Sequence, residues 1–338
     1  MRLLIVTQKV DKEDPVLGFF HRWLRFFEEG RFSKVTVIGQ QVGSYDLEKN
    51  VTVLSLKKEE GISRLRQVFR FWGLIRMYRG DYDAVLVHMT PIWVVLGFPV
   101  WKFFQKPVYL WYEARGARWP LRVSLRMVKK AFSASPAGMP VHTKKSVIVG
   151  HGIDTGWWSS DKKNRDPTLI ISVGRISPSK RIGLIIEALS RLPPHYRLKI
   201  AGQSVTPQDH KEKINLQALI AEKKLEQRVS FERMTPDALR ELERSATLLL
   251  HASSTSLDKA VLEAMSCGCL VVSCAEALRG VLPEHLRAST EHLADRALAV
   301  LSLSESEKDA LRKELKEIVV RDHGLARLIE RLYLEMAR

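Results

Sequence analysis

The sequence predicts an α/β protein made of two doubly wound domains in tandem. Three observations predict this fold class: the length of 338 residues, an alternation of short β-branched runs with longer amphipathic runs, and a restart of that alternation after about residue 165. A chain of this length exceeds what one hydrophobic core usually serves. Alternating runs of these two kinds are typical of parallel βα units.

The N-terminal half contains six predicted strands with amphipathic helices between them. The strands are residues 3–7, 34–38, 51–56, 83–88, 107–112 and 146–149. One helix follows Gly18, and others fill residues 63–79, 92–104 and 121–132. The polar segment SSDKKNRDP at 159–167 ends in proline and therefore predicts a linker.

The C-terminal half repeats the pattern. Strands are predicted at 168–174, 196–202, 228–232, 247–252 and 269–274, helices begin near Lys180, Asp209, Pro236 and Asp258, and the tail after Glu291 is helical. Ligands of doubly wound domains bind outside the carboxyl ends of the strands, at topological switch points. A substrate is therefore expected in a cleft between the two domains, at strand ends.

Composition indicates a globular protein of a reducing compartment. Hydrophobic residues make up 45% and charged residues 27% of the chain. The three cysteines, Cys267, Cys269 and Cys274, fall within eight positions, unlike those of a secreted disulfide scaffold. Two of them fall in a predicted turn and one closes a buried strand, so a metal site is not expected. The apolar run at the start is too short for a signal peptide, and the apolar stretch 91–101 is about half of the roughly 20 residues of a spanning helix.

Positive charge is concentrated in the N-terminal half. The net charge is +16, and residues 1–150 carry 25 Lys and Arg against 12 Asp and Glu, a net charge of +13. Such a surface suits an anionic membrane, a phosphorylated acceptor or nucleic acid. The basic, aromatic helices at 63–79 and 121–132 favour peripheral membrane contact, although their apolar sides serve equally well as core. No nucleic-acid-binding motif is visible, so nucleic acid is not an expected partner.

The segment VGRISPSKR is the first candidate for chemistry. A predicted strand ends at Gly174, and Arg175 and Lys180 follow before a helix. The two cations are either solvated turn residues or a diphosphate clamp, in which Arg175 pairs through its fork and Lys180 supplies a point charge. The S-x-x-K pattern from Ser177 is not that of a β-lactamase, because no SDN or KTG accompanies it.

The segment HASSTSLDKAVLEAM is the second candidate. A strand ends near Ala252, and a small polar loop leads into a helix that carries Glu263. Free amides and the helix dipole make Ser253 to Asp258 a candidate anion cradle. Glu263, one to two turns into the helix, is placed to reach ribose hydroxyls, and an exposed helical carboxylate is the alternative interpretation.

Together these segments resemble the retaining nucleotide-sugar glycosyltransferases of the GT-B fold, the family 4-like glycosyl transferases group 1. The resemblance spans most of residues 168–285 and rests on VGRISPSK, the LKIAGQ strand end, RVSFERMTPDALRELERSATLLLHAS and LEAMSCGCLVV, in the expected order and spacing. The segment HGLARLIERLY at 323–333 resembles the family's closing helix.

The resemblance implies two Rossmann-like domains facing each other across a cleft: an acceptor-binding domain at 1–152, a nucleotide-sugar-binding domain at 153–322, and a helix at 323–338 that packs back towards the first. Arg175 and Lys180 are expected at the donor diphosphate and Glu263 at its ribose. The acceptor is expected near the loop around Gly18. No metal or cofactor is expected, since preorganised positive charge stabilises the leaving diphosphate. The predicted nucleotide-sugar-binding residues are Gly18, Gly174, Arg175, Lys180, Ser256, Leu257, Asp258, Lys259 and Glu263.

The sequence departs from the family at two positions. The family has a glutamate eight positions before Glu263, where this chain has Thr255, and a histidine at the strand end where this chain reads Glu113, Ala114 and Arg115. Arg175, Lys180, Glu113 and Thr255 are the catalytic candidates. Asp258 is a substitute for the missing carboxylate, or else a helix cap. His88, at the end of the preceding strand, faces the cleft or is a structural histidine.

Two functions follow from the resemblance. The first is retaining transfer of a sugar from a nucleotide diphosphate sugar to a lipid-linked or polysaccharide acceptor of envelope glycan assembly, in the cytoplasm or at the inner face of the membrane. The alternative is a catalytically degenerate protein of the same fold that binds nucleotide sugars or serves as a scaffold subunit, because Thr255 and Ala114 stand where the family has a carboxylate and an imidazole.

Overall fold

The computed structural model describes residues 1–14, 17–29, 31–159 and 165–338. The chain divides into two compact units: unit 1 combines Met1–Gly152 with His323–Arg338, and unit 2 is Ile153–Asp322. Of the predicted linker at 159–167, residues 160–164 lie outside the described residues.

Each unit is built on one parallel sheet whose strands follow the predicted runs. In unit 1 the strands are β1 (Arg2–Val10), β2 (Lys34–Val42), β3 (Val51–Ser55), β4 (Ala84–His88), β5 (Val108–Trp111), β6 (Lys130–Ser133) and β7 (Ser146–Ile148). In unit 2 they are β8 (Asp166–Val173), β9 (Arg197–Ala201), β10 (Val229–Glu232), β11 (Ala246–His251) and β12 (Leu270–Ser273).

Helices connect the strands in both units. They are α1 (Phe19–Glu29), α2 (Arg64–Met77), α3 (Pro91–Phe103), α4 (Trp119–Met127), α5 (Ile182–Ser190), α6 (Pro207–Glu222), α7 (Pro236–Ser245), α8 (Lys259–Ser266), α9 (Leu293–Leu301), α10 (Glu305–Ile318) and α11 (Leu325–Ala337). The predicted helical tail is thus divided, and a π-helical stretch, Val319–His323, joins α10 to α11.

The strand order is β3-β2-β1-β4-β5-β6-β7 in unit 1 and β10-β9-β8-β11-β12 in unit 2, with every pair parallel. The order reverses between β1 and β4 and again between β8 and β11. This is the doubly wound arrangement, so the predicted fold class is confirmed. The central strands are near-continuous apolar runs because helices cover both faces of such a sheet; Leu3 to Val6, for example, are at most 1% exposed.

The prediction of one helix over 121–132 is wrong for residues 128–132. The helix α4 ends at Met127, and Val128 has extended backbone angles (φ −77°, ψ 151°). Residues 130–133 then form β6, with Ala131 and Phe132 fully buried between β5 and β7. The charged pair Lys129 and Lys130 extended the helical pattern in the sequence, whereas burial in the sheet decides the structure.

The last helix packs within unit 1. Tyr109 Oη donates a hydrogen bond to the Met336 carbonyl at 3.1 Å, and Lys130 Nζ pairs with Glu335 Oε2 at 2.7 Å. The rings of Phe32 and Tyr333 meet edge to face with centroids 5.6 Å apart. Residues 323–338 are therefore part of the hydrophobic core that begins with β1.

Arg165 donates hydrogen bonds to the carboxyl ends of two helices in unit 2. Its Nη1 donates to the carbonyls of Glu243 and Ala246, each at 3.0 Å, and its Nη2 donates to the Cys267 carbonyl at 2.5 Å. These carbonyls belong to the carboxyl ends of α7 and α8, where no helical amide remains to satisfy them. The Arg165 guanidinium therefore satisfies buried acceptors that the helices cannot.

We expect Arg165→Ala to lower the free energy of unfolding by about 2–3 kcal/mol, because it leaves these carbonyls without their charged donor. Arg197→Ala is the matched control, since Arg197 is 58% exposed and pairs only at the surface with Asp166; its expected cost is below about 1 kcal/mol. Urea denaturation of the two variants measures the difference, and equal costs would contradict the role given to Arg165.

Candidate functional site

The two candidate segments of unit 2 lie at the carboxyl ends of adjacent strands. Gly174 and Arg175 follow β8, and Ala252 and Ser253 follow β11. Between β8 and β11 the strand order reverses, which is where doubly wound sheets open a crevice for ligands. The two sequence-predicted segments of this unit therefore come together at the switch point of its sheet.

The turn after β8 depends on two glycines. Gly174 has a φ of +136°, a conformation that side chains disfavour, and its amide donates to the Ala201 carbonyl at 3.0 Å. Gly202, at the end of β9, approaches so closely that a β-carbon there would lie 1.9 Å from the Gly174 carbonyl oxygen. The path of the chain into Arg175 is thus fixed by close backbone contact.

Hydrogen bonds join the loop after β8 to the loop after β11. The amide of Ser254 donates to the Ser179 carbonyl at 2.9 Å, and Ser254 Oγ donates to the same oxygen at 3.1 Å. Ser253 Oγ and Thr255 Oγ1 are hydrogen-bonded at 2.8 Å. The small polar residues of the predicted cradle therefore hold the two loops against each other.

Lys180 reaches the start of α8. Its side chain passes over Gly174, where a β-carbon would lie 3.3 Å from Lys180 Cε. Its Nζ forms an ion pair with Asp258 Oδ1 at 2.5 Å, and the two side chains are 18% and 16% exposed. The ammonium predicted to bind phosphate is thus placed beside the amino end of a helix, where anions are favoured.

Asp258 occupies the N-cap position of α8, yet its side chain makes no capping hydrogen bond. The carboxylate instead joins Lys180 to His251, whose Nε2 lies 2.7 Å from Asp258 Oδ2. Burial alone would raise the pKa of Asp258, but the hydrogen bond from His251 and the charge of Lys180 outweigh it and hold the pKa far below its usual value. The helix-cap interpretation of Asp258 is therefore incomplete. Asp258 stands at the N-cap position, but its side chain bonds to Lys180 and His251 and not to the helix.

Arg175 points to a different partner. Its Nε lies 3.6 Å from Asp209 Oδ2, and its side chain is 51% exposed. Asp209 also accepts hydrogen bonds from the Val205 and Thr206 amides as part of the capping box of α6. The Arg175 guanidinium is therefore loosely paired and exposed to solvent at the end of β8.

Glu263 lies on α8 above the loop. Its Oε1 pairs with Lys259 Nζ at 3.4 Å, one helical turn away, and its side chain is 11% exposed. The interpretation as an exposed helical carboxylate is thus wrong. Of the other predicted contacts, Leu257 is 3% exposed, Ser256 is half-buried, and Thr255 Oγ1 lies 3.4 Å from Asp258 Oδ1.

Sequence reasoning missed a carboxyl group close to Glu263. Glu243, on α7, is fully buried. Burial, and next the charge of Glu263, raise the pKa of Glu243 well above its usual value. The helical spacing of α7 marks this position as inward-facing, but only the packing of α7 on α8 places the two carboxyl groups together.

We expect Glu243→Gln to be more stable than the unaltered chain at pH 7. Because the pKa of Glu243 is raised in the folded state, the folded chain holds an extra proton above the unfolded pKa, and stability falls as pH rises through that window. Glutamine carries no charge at any pH, so its gain in stability should be present at pH 7 and should vanish as pH falls below the pKa of an unfolded glutamate. Denaturation at several pH values tests this, with the exposed Glu226→Gln as control; a gain that does not change with pH would contradict it.

Three predicted residues belong to unit 1. Glu113 accepts hydrogen bonds from the amides of Ala134 and Ser135 and from the hydroxyls of Ser133 and Ser135, at 2.8–3.1 Å. Burial raises the pKa of Glu113, although these bonds oppose it. The Glu113 carboxylate therefore stabilises the loop at residues 133–135, where β6 ends.

His88 is 3% exposed at the switch point of the unit 1 sheet. Its ring stacks on Phe20, with centroids 4.1 Å apart, and its Nδ1 is hydrogen-bonded to Thr7 Oγ1 at 3.2 Å. This environment favours the structural interpretation of His88. Gly18 donates its amide to the Asp14 carbonyl at 2.9 Å, and a β-carbon there would lie 2.5 Å from the same oxygen, so the loop after β1 requires glycine.

The three cysteines are free thiols, and burial raises the pKa of each. Cys267 and Cys269 are fully buried, and burial raises the pKa of Cys269 to about 12. Across the described ranges, no cluster of three or more His, Cys, Asp or Glu could hold a metal ion. Among the same residues no helix is both long and apolar enough to cross a bilayer.

Comparison with known proteins agrees with this fold. Residues 158–284 match the family model of glycosyl transferases group 1. The structure is similar to Anabaena HepE in complex with UDP (17% identity, 100% of both chains, TM-score 0.80) and to the sucrose-phosphate synthase of Thermosynechococcus elongatus (16%, 99% of each chain, TM-score 0.75). It is also similar to the lipopolysaccharide outer core galactosyltransferase WaaB in its apo form (14%, 100% of both chains, TM-score 0.70).

No curated protein matches the chain significantly in sequence. The matched family region contains the loops after β8 and β11 and all of α8, and the structural likeness extends over both units. The predicted resemblance is thereby confirmed. Residues 158–284 match the glycosyl transferases group 1 model, and the chain as a whole has the GT-B fold.

Proposed function

We propose that the chain is a retaining glycosyltransferase that moves a sugar from a nucleotide diphosphate sugar to a lipid-linked or polysaccharide acceptor, with the donor held by unit 2. The observation that carries this proposal is the placement of Lys180 and the start of α8 at the switch point of the unit 2 sheet, with Arg175 at the same strand end. Positive charge fixed beforehand at one point favours a diphosphate. The UDP bound by the Anabaena protein of similar fold supports a uridine nucleotide as the first donor to test.

The chemistry we assign to this chain needs neither a metal nor a cofactor. As the bond between the sugar and the diphosphate breaks, negative charge grows on the leaving phosphate. The Lys180 ammonium and the amides of α8 would stabilise that charge without moving, since they are oriented before the reaction begins. The exposed Arg175 guanidinium would turn from Asp209 to the diphosphate. Glu263 would hold the ribose, and Gly174, Ser256, Leu257, Asp258 and Lys259 would line the donor site.

The test is a donor screen. Purified protein is incubated with uridine, guanosine, adenosine and thymidine diphosphate sugars and a lipid-linked acceptor extract, and release of nucleoside diphosphate is measured. The proposal predicts release from at least one donor and its loss in Glu263→Ala. No thermal stabilisation and no release with any of the four would contradict it, because a bound donor must stabilise the folded state.

A second candidate is the degenerate scaffold, and two observations favour it. Thr255 replaces a carboxylate of the family, and the Glu113 carboxylate is committed to four hydrogen bonds. A scaffold would bind nucleoside diphosphates without releasing them from any donor sugar. Release that depends on Glu263 therefore excludes it.

We also propose an anionic membrane surface on the cytoplasmic side as a partner of unit 1. The exposed face of α2 combines four arginines with three large apolar residues that are 59–71% exposed, and α2 carries no acidic residue. These residues are Arg64, Leu65, Arg66, Phe69, Arg70, Arg76 and Met77. Arginine near an anionic leaflet and an apolar side chain that inserts both strengthen binding.

We expect the double variant Arg66→Gln, Phe69→Ser to bind vesicles of phosphatidylglycerol and phosphatidylcholine roughly tenfold more weakly than the unaltered chain. The matched control is Lys223→Gln, Ile214→Ser on unit 2, where Ile214 is 65% exposed. Vesicle sedimentation measures both. Equal binding by all three proteins would contradict the assignment of α2 as the membrane-facing helix.

A further inference from the structure

A series of hydrogen bonds leads from Ser273 in the core through His251 and Asp258 to Lys180. Ser273 Oγ accepts from the Ala275 amide at 3.0 Å and lies 2.9 Å from His251 Nδ1. His251 Nε2 lies 2.7 Å from Asp258 Oδ2, and a carboxylate without a proton can only accept. With the hydrogen on Nε2, His251 donates a hydrogen bond to Asp258, and its Nδ1 accepts a hydrogen bond from the Ser273 hydroxyl. Every donor in this hydrogen-bond series then meets an acceptor.

Both oxygens of the Asp258 carboxylate have partners in this hydrogen-bond series. His251 holds Asp258 Oδ2, and Lys180 holds Oδ1 at 2.5 Å. His251 is 6% exposed and Ser273 is 1% exposed, so the support comes from the core beneath the loop. The Lys180 side chain is thereby connected to the core through Asp258 and His251.

We propose that Asp258 and His251 are positioning residues that hold the Lys180 ammonium at the start of α8 for the diphosphate. This inference rests on the proposed donor site. The Asp258 side chain makes no capping hydrogen bond, so its carboxylate is engaged by Lys180 and His251 rather than by the amides of α8. Preorganisation of this kind strengthens binding because the ligand need not order the lysine.

An opposite role for Asp258 predicts the opposite sign. If the carboxylate merely neutralised Lys180, its removal would expose a full positive charge and tighten diphosphate binding. If it positions Lys180, its removal weakens binding although the site becomes more positive. The direction of the change therefore separates the two roles.

The experiment measures UDP and uridine affinity by calorimetry. Asp258→Asn should weaken UDP binding roughly tenfold, the size of one lost charge-assisted hydrogen bond, and leave uridine binding unchanged. His251→Leu should weaken UDP binding similarly, and His251→Gln, which keeps a donor near Nε2, should restore most of the loss. In a Lys180→Met background, Asp258→Asn should have no further effect on UDP affinity.

Three results would overturn the inference alone: UDP binding by Asp258→Asn that is as tight as or tighter than normal, an equal loss for uridine, or a full effect of Asp258→Asn without Lys180. Thermal unfolding of each variant shows whether it is folded. If His251→Leu does not fold, Asp258→Asn still provides the test. An unaltered chain that binds none of UDP, GDP, ADP and TDP overturns the donor site itself, and the inference with it.

Discussion

Replacing Lys180 with methionine is expected to lower the rate of sugar transfer roughly 100- to 1,000-fold. A single preorganised donor to a developing oxyanion is typically worth that much, and Lys180, whose side chain is 18% exposed, pairs with Asp258 at the start of α8. Methionine keeps the length and much of the apolar surface of the lysine stem, so the loss should come from the charge. Release of nucleoside diphosphate from the best donor of the screen measures it.

The control for Lys180→Met is Lys308→Met. Lys308 is also largely buried and paired with a carboxylate, Glu305, at 3.0 Å, but it lies on α10. Its replacement should cost stability without slowing transfer. Equal rates for the two variants would remove Lys180 from the reaction.

The second large effect is expected from Gly202→Ala. The new β-carbon would lie 1.9 Å from the Gly174 carbonyl oxygen and 2.9 Å from its carbon. Both partners are backbone, so no side chain can rotate away, and the ends of β8 and β9 must move apart. We expect a loss of about 3 kcal/mol in the free energy of unfolding, together with weaker UDP binding because the turn into Arg175 shifts.

Gly183→Ala is the control for this substitution. A β-carbon there meets only Leu219 at 3.7 Å and Leu216 at 3.9 Å, which is ordinary contact. Since Gly183 lies in α5, alanine should be neutral or stabilise the helix by up to about 1 kcal/mol. If urea denaturation gave both variants the same stability, the close approach of the two strand ends would be wrong.

The sequence predicted the sheets well because parallel strands are buried on both faces. Runs such as Leu3 to Val6 and Leu248 to Leu250 are apolar throughout, which few other structures require. The strand β6 escaped detection because it is only four residues long, Lys130–Ser133, and follows directly on a helix of similar composition. A short strand of this kind is decided by its neighbours in the sheet rather than by its own residues.

The position of the candidate site was predicted better than its internal contacts. The segments around Arg175 and Asp258 could be placed at strand ends by pattern alone, and the strand order brings those ends together. The pairing of Lys180 with Asp258, and the support from His251, could not be read from the sequence, because these residues are separated by up to 78 positions and meet only through the fold. A histidine that closes an apolar strand, as in LLLHA, was the one available signal.

For Glu113 and His88, the sequence predicted the position at a strand end but not the contacts of the side chain. Both stand at strand ends of unit 1, as the strand pattern predicted, and both are engaged in buried contacts of that unit. Their chemical roles stay predictions. Strand-end position predicts proximity to a crevice, but the direction of a side chain depends on the helices and loops that cover it.

The most direct measurement is the location of UDP in a crystal of this protein. With the donor site as proposed, the diphosphate should lie at the carboxyl ends of β8 and β11, within hydrogen-bond distance of Lys180 Nζ, the Arg175 guanidinium and the first amides of α8. A diphosphate bound elsewhere on the chain, with Lys180 still paired only to Asp258, would contradict it.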